Sequence, residues 1–576
     1  MSAPSAGKRK GRSVPVLYGG ATTALLLAVV GLALSSPPPR TPPLAAVNPQ
    51  VEEQVEVERV EQSSQFGQGA GGEGDCSVGA DCVGLGQEQA ARPGEVPTPR
   101  TTSAPADLWP CVLGPGGPRQ TDDPQSPPCI GERFKGGNGG ATWRGVTPTE
   151  IRIGYRTDSF WTSQQGNVAL PAFVSHFNRH YELYGRQIVL VEVGTGRPGT
   201  DPAEQRAAAE EVAGQEVFAT LDYGNFGAHH QRLAQLGIVT FTKSPLISES
   251  DVTALHPHVW SLYPAREQAL EVAGEVICVT LKGRPAQHGG DAVEDTPRRF
   301  GIVETVPASD GVHYPAGELA SRLRACGADH KLYRFDEKEE NESDLLTRMR
   351  RDGITTISCV CATAGIGQHS WMAQADALAY EPEWFGPGVS DAGLYVADRP
   401  TTESTPRSQM AHVFGIAGGL RLTEGGPVSV NRYGVHREHF WYHAAKAENP
   451  SFDPNYVPSR YYDVYGQLLM LASGIQWAGP DLNPETFGAA LTGLRYPNPG
   501  VGISPWYQPS VGFGPSDHAF NSDFALYWWQ NPTEEEWQSK THLGVMCYVG
   551  GGRRFTTEGV PANVDDLLFD PEAGCR

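Results

Sequence analysis

The chain has 576 residues, too many for one hydrophobic core, and its length suggests about three or four domain-sized units. Hydrophobic residues make up 39%, with 20 Phe, 20 Tyr and 12 Trp, which is ample for a packed interior. A formal net charge of −21 argues against nucleic acid or an anionic membrane surface as partner.

The first residues predict export. Lys8, Arg9, Lys10 and Arg12 precede an apolar stretch from Val14 to Leu34, centred on Leu25, Leu26, Leu27, Val29 and Val30. About 20 such residues at ~1.5 Å each just cross a bilayer core of roughly 30 Å. The stretch runs into Ser35, Ser36 and three prolines with no clear small-x-small site and no following Cys, so it reads as an uncleaved anchor or, failing that, a signal peptide. Basic residues before the span keep the N-terminus inside and put the bulk of the chain outside. Residues 37–105, rich in Pro, Gly, Glu and Gln, predict a disordered tether. Residues 106–146 predict a small disulfide-closed collar ending in GGNGGATWRG.

Ten cysteines suit an oxidising compartment, and two close pairs, Cys76 with Cys82 and Cys111 with Cys129, are disulfide candidates. Cys359 and Cys361 alternate in an apolar run, where buried small hydrophobes are a simpler reading than a functional thiol pair. No CxxC…CxxC arrangement is present, the HxxxH spacing of His176 and His180 is not read as a metal site, and His176, His180, His229 and His230 read as surface positions on helical stretches. No metal and no cofactor are expected.

From Thr147 the pattern alternates. Strands are predicted at 151–158, 188–193, 217–222 and 237–242, with helices around 168–184, 202–214 and 228–236 between them. A second series follows. Helices at 265–282, 314–326, 342–351 and 369–380 alternate with strand-like runs at 299–305, 330–335, 355–361 and 384–391. Short apolar β-branched runs between helical ones indicate parallel sheets covered on both faces. The fold class is therefore α/β, with two doubly wound parallel-sheet lobes facing a cleft. Ligands of such sheets bind outside the carboxyl ends of the strands.

Several segments carry a resemblance. GVTPTEIRIGYRTD, GIVTFTKSPLISES, FGIVETVPASDGVHYPAGELASRLRACG, ADALAYEPEWFGPGVSDAG, SRYYDVYGQLLMLASGIQWAG and LNPETFGAALTGL resemble, in that order, the type I periplasmic-binding proteins. The likeness is to the leucine/isoleucine/valine-binding branch of ABC-transporter receptors, covers about residues 147–550, and in its collar (PPCIGERFKGGNGGATWRGVT) is similar to actinobacterial members. It implies three chain crossings between the lobes, near Tyr263-Pro264, near 413–421 and near 497–505. The first lobe would be 147–264 and 421–499, the second 265–420 and 500–560, with 561–576 as a tail.

The same resemblance places ligand contacts at strand ends. Asp222, Tyr223 and Asn225 lie after the third strand, where the family has a small hydroxyl, so the site suits a polyol, an amide or a cation as well as an amino acid. Asp222 has an alternative role as cap of the following helix. Lys243, Ser244 and Leu246 lie after the fourth strand, where Lys243 would pair with a ligand carboxylate or with Asp222. Trp161 would be an aromatic wall, Tyr314 would pack on the ligand, and Asp391 would hold its ammonium group. Tyr461, Tyr462, Asp463 and Tyr465 read as a core-facing helix.

The expected function is capture of a small polar ligand without chemistry, with delivery to an ABC permease implied by the resemblance alone. A membrane-anchored sensor of the same fold is the alternative. An exported hydrolase is disfavoured, since neither G-x-S-x-G nor H-E-x-x-H is present.

Overall fold

The computed structural model describes residues 108–569 except 115–116, 158–165, 196–200, 223–226, 243–247, 307–314, 337–338, 361–368, 389–405, 419–439, 453–457, 497–509, 515–516, 540–544 and 563–567. The chain divides into two units, Met1–Thr98 and Pro99–Arg576, and every described residue lies in the second. The apolar stretch at 14–34 and the tether lie outside the described residues. The candidate pairing of Cys76 with Cys82 is not among the disulfides described, which include Cys111–Cys129 and Cys278–Cys326, because Cys76 and Cys82 both fall in that outlying stretch. Among the described residues no helix is long and apolar enough to cross a membrane.

The collar is a short hairpin, β1 (Val112–Gly114) against β2 (Gly117–Arg119), closed by the Cys111–Cys129 disulfide. Polar side chains dock it on the body. Gln120 Nε2 donates to the carbonyl of His180 at 2.8 Å, and Tyr465 Oη donates to Asp123 Oδ2 at 2.8 Å. Gln125 Nε2 reaches Asn521 Oδ1 at 3.0 Å. Trp109 Nε1 donates to Glu182 at 3.3 Å while the Arg133 guanidinium lies 3.8 Å over its ring.

The first lobe is built on five parallel strands, β3 (Glu150–Thr157), β4 (Gln187–Thr195), β5 (Ala219–Leu221), β6 (Val239–Thr242) and β7 (Val259–Ser261), in the order β4-β3-β5-β6-β7. Their helices are α1 (Gly166–His180), α2 (Pro202–Gly214), α3 (Gly227–Gln235) and α4 (Glu249–Ala254). Asp201 starts α2 by accepting the amides of Ala203 and Glu204, and Pro202 stands where a missing amide costs nothing. β5, β6 and β7 are short and buried throughout, which is why they read as continuous apolar runs.

The second lobe begins with α5 (Arg266–Val276), prolonged by a π-helical turn at Ile277–Leu281. Its strands are β8 (Phe300–Val306), β9 (His330–Asp336), β10 (Thr356–Val360), β11 (Glu383–Gly386) and β12 (Val413–Ala417). Between them lie α6 (Gly317–Cys326), α7 (Glu342–Arg351), α8 (His369–Ala377) and α9 (Arg407–Met410). The π-helical turn brings Cys278 to Cys326 at the end of α6, and the two form a disulfide. Cys359 is buried on β10 and is also disulfide-bonded, so the plain small-hydrophobe reading of it is corrected.

The chain then returns to the first lobe through α10 (Phe440–Glu448), α11 (Pro458–Ala478), α12 (Pro484–Thr492) and a small ladder of β13 (Arg495–Tyr496) with β14 (Val511–Gly512). Trp441, Leu468, Leu469, Phe487, Phe513 and Phe520 all join the core that holds Phe173, Phe218 and Phe241. The chain ends in the second lobe with β15 (Phe524–Gln530), α13 (Glu534–Gln538), β16 (Val545–Tyr548) and β17 (Arg554–Phe555). These strands are antiparallel additions that complete an eight-stranded sheet, ordered β16-β15-β12-β11-β10-β8-β9 with β17 beside β15.

The two lobes are therefore built on two separate large sheets, joined by three crossings. The first is at Tyr263-Pro264 and the second follows Ala417. The third is not near 497–505: Val511, Phe513 and Phe520 still pack in the first core, and the chain passes over between Asn521 and Phe524. The reason is hydrophobic. Phe513 and Phe520 have their partners around Trp260, whose ring meets Phe513 edge-on at 5.4 Å.

Candidate functional site

All five strands of the first sheet and β8 to β12 of the second run parallel within their sheets, so each sheet has one carboxyl edge. The crossings show that these two edges meet. The carboxyl end of β7 runs straight into Tyr263-Pro264. The carboxyl end of β12 leads to Gly418, where an added Cβ would lie 3.0 Å from Pro264 Cδ and 3.1 Å from Phe524. The third crossing runs beside the first: Ser261 pairs in parallel with Ala519, and the amide of Asn521 donates to the carbonyl of Leu262 at 3.0 Å. Three backbones thus pack side by side where both sheets end.

Buried polar groups fix this junction. Arg554 forms an ion pair with Asp523 at 2.5 Å and donates to the carbonyl of Gly418 at 2.9 Å, tying the second crossing to the third. Tyr263 Oη donates to Asp463 Oδ1 at 2.6 Å, tying the first crossing to α11. Gln268, on α5, donates to Asp517 Oδ1 at 2.9 Å across the lobes.

Each sheet reverses its strand order at one place, between β3 and β5 in the first and between β8 and β10 in the second. Such switch points open crevices for ligands at the carboxyl edge. A buried acid stands at each. Asp222, directly after β5, is 5% exposed, and its Oδ2 lies 3.2 Å from His230 Nε2 and 3.3 Å from His229 Nε2. Burial pushes its pKa up, but the bonds from His229 and His230 outweigh this and hold the carboxyl well below the ordinary range. Its backbone carbonyl accepts from Gln467 Nε2 at 2.7 Å, and His229 Nδ1 is 3.1 Å from the carbonyl of Gln205. In the second lobe Glu304, near the end of β8, accepts the amide of Ala316 at 2.9 Å and pairs with Arg334 at 3.2 Å.

Of the nine expected ligand contacts, Asp222 alone is among the described residues; Trp161, Tyr223, Asn225, Lys243, Ser244, Leu246, Tyr314 and Asp391 lie outside them. All eight fall in segments that begin within a few residues of the carboxyl ends of β3, β5, β6, β8 and β11. Asp222 does not stand open at the cleft edge; its carboxylate faces two imidazoles of α3. Sequence reasoning missed this partnership. His229 and His230 read as surface positions, but each is 1% exposed, and His176 is buried as well. The adjacent pair at the start of a helix one short loop beyond Asp222 was the available signal. Tyr461, Asp463 and Tyr465 are buried, as a core-facing helix requires.

No family model matches the chain, and no curated protein matches it. Among solved structures it is similar to solute-binding proteins of ABC transporters, the class to which the sequence resemblance points. One is a solute-binding protein from R. palustris in complex with 4-hydroxybenzoate, at 12% identity and a TM-score of 0.48, covering 72% of this chain and 100% of that one. Another, from Rhodopseudomonas palustris HaA2 in complex with p-hydroxybenzoic acid, has 12% identity, a TM-score of 0.49 and coverages of 71% and 97%. A third, from Desulfitobacterium hafniense in complex with Leu, has 16% identity, a TM-score of 0.44 and coverages of 66% and 97%.

Proposed function

We propose that this protein is an extracytoplasmic solute-binding receptor that closes two lobes on a small polar ligand, an amino acid or related amide, and hands it to an ABC-type permease. The observation that carries this reading is the meeting of both carboxyl edges at three packed crossings. A ligand lying between those edges contacts both lobes at once, and only such a ligand favours the closed arrangement over the open one. Apolar walls supply burial and a few polar groups set orientation.

In this reading Asp222 and Glu304 are positioning residues. They hold the starts of α3 and α6, so that Tyr223 and Asn225 on one side and Tyr314 on the other are presented to the ligand. Lys243, Ser244, Leu246, Trp161 and Asp391 complete the proposed lining. Capture rather than turnover is the reading that suits a sequence with neither a G-x-S-x-G elbow nor an H-E-x-x-H helix. A membrane-anchored sensor would use the same cleft, and the apolar stretch at 14–34 is long enough to support it.

The test is a thermal-melt screen over amino acids, amides, polyols and sugars. A ligand at a hundredfold excess over its Kd stabilises by about 2.7 kcal/mol. The double variant Tyr223→Ala/Asn225→Ala should lose that gain while melting, unliganded, like the parent chain. If no class stabilises the protein, or the double variant keeps the full gain, the cleft site is wrong.

A further inference from the structure

On the far side of the first lobe, away from the strand ends, α1 carries His176 and His180 one helical turn apart, so both face the same way. Against them lies Glu448 from the last turn of α10, and one ligand atom from each of the three residues falls within 4.8 Å of the others. Three features distinguish this cluster from ordinary packing. His176 is 8% exposed, yet neither ring nitrogen has a hydrogen-bond partner. A neutral imidazole carries one donor and one acceptor, and leaving both buried and unmet is costly. The Glu448 side chain is 4% exposed, and its two bonds, from Ser175 Oγ at 2.6 Å and Arg179 at 2.9 Å, both fall on Oε2. Finally the rings of His176 and His180 lie 4.6 Å apart, close for two groups that gain nothing from each other as cations.

We propose that His176, His180 and Glu448 form a binding site for a divalent transition-metal cation of the zinc type. Two imidazoles and one carboxylate are a donor set that zinc accepts, at about 2.0–2.2 Å per bond, with a water in the fourth position. Oxygen-seeking Mg²⁺ and Ca²⁺ do not suit a site with two nitrogen donors. Ligands at those bond lengths sit about 3.3 Å apart in a tetrahedron, so the three side chains must draw together from their present spacing. His180 at the end of its helix and the long Glu448 side chain have the freedom to do so. Ser175 and Arg179 then serve as the outer partners that hold the carboxylate in place.

The site is independent of the ligand cleft, and its test uses metal alone. Full-length protein, stripped with a chelator and with disulfides intact, is titrated with Zn²⁺ by calorimetry and with Co²⁺ by visible absorption. One equivalent should bind with micromolar or tighter affinity, and Co²⁺ should give the intense bands of a four-coordinate site. His180 is partly exposed whereas the Glu448 side chain is buried, so circular dichroism checks that His180→Ala and Glu448→Ala both remain folded. Each should weaken binding at least tenfold and abolish the Co²⁺ bands. Failure of the parent chain to take up one equivalent, or unchanged affinity in either variant, overturns the site.

Discussion

At the two switch points the protein solves one problem with different chemistry. In the first lobe Asp222 holds the start of α3 through side chains, with two buried imidazoles on one carboxylate oxygen and Gln467 on its backbone carbonyl. In the second, Glu304 holds the start of α6 through a backbone amide, with an exposed guanidinium among its other partners. The lobes differ in the same sense elsewhere. The first is fastened from outside, by a collar whose glutamines and acids dock on α1, α11 and the third crossing. The second is fastened from within, by the Cys278–Cys326 disulfide and a fully buried Arg298–Glu383 pair at 2.7 Å. A lobe held from within keeps its shape when its surroundings change, whereas one held by a docked segment can be loosened at that segment.

The internal fastening of the second lobe should show the largest effect. Glu383 accepts two bonds from Arg298 and others from Thr356 and the amide of His288. Glu383→Ala leaves a buried guanidinium without its counter-ion and should cost about 3–5 kcal/mol in urea unfolding. A loss below ~1 kcal/mol would mean that the pair is not what holds the lobe.

The two switch-point acids should separate next. Asp222→Ala removes the acceptor shared by His229 and His230 and should cost about 1–3 kcal/mol. Glu304→Gln keeps an oxygen for the amide of Ala316 and gives up the ion pair with an exposed arginine, itself worth about 0–1 kcal/mol. Equal losses on denaturant unfolding would erase the distinction between the lobes at this point.

The smallest effect concerns the collar and appears as a pH dependence. Burial raises the pKa of Asp123 to about 6, against bonds from the Gln125 amide and Tyr465 that lower it; Asp122 nearby adds to the rise and Arg119 opposes it. The folded protein therefore holds this proton more tightly than the unfolded chain, whose aspartates titrate near 3.9. Stability from this group is complete below about pH 4 and is lost as pH rises through about 6, by roughly 1–3 kcal/mol. Asp123→Asn should then gain on the parent as pH rises, exceeding it by more at pH 7.5 than at pH 4.5. A parent chain at least as stable as the variant at pH 7.5 would show that the carboxylate is better accommodated than its burial implies.

The strand–helix alternation was legible because parallel strands buried on both faces must be largely apolar or β-branched, and GIVTFT and TTISCV announce themselves in that way. The antiparallel β15 to β17 were not anticipated. FALYWWQ carries the composition of a strand, but its place beside β12 depends on pairing across more than a hundred residues of chain. The third crossing was misplaced for a related reason: Phe513 and Phe520 look like loop aromatics until Trp260 is known to lie under them. The histidines were the largest error. HHQ at 229–231 and HFNRH at 176–180 read as polar helix faces, and nothing local reveals that an aspartate from a preceding strand, or a glutamate from a distant helix, lies opposite.

The core of the first lobe draws on three separated stretches, 146–263, 441–494 and 511–520, and the second sheet is complete only after Phe555. Neither interior can close while the chain is still being made. At roughly 5–20 residues per second, the stretch from the first crossing to Phe520 takes on the order of tens of seconds to appear. Over that interval the nascent polypeptide offers unsatisfied apolar strands but no finished domain, a state in which it can be threaded across a membrane and is also most exposed to aggregation. The interleaving that lets two lobes share a junction also ties the timing of folding to the completion of the whole chain.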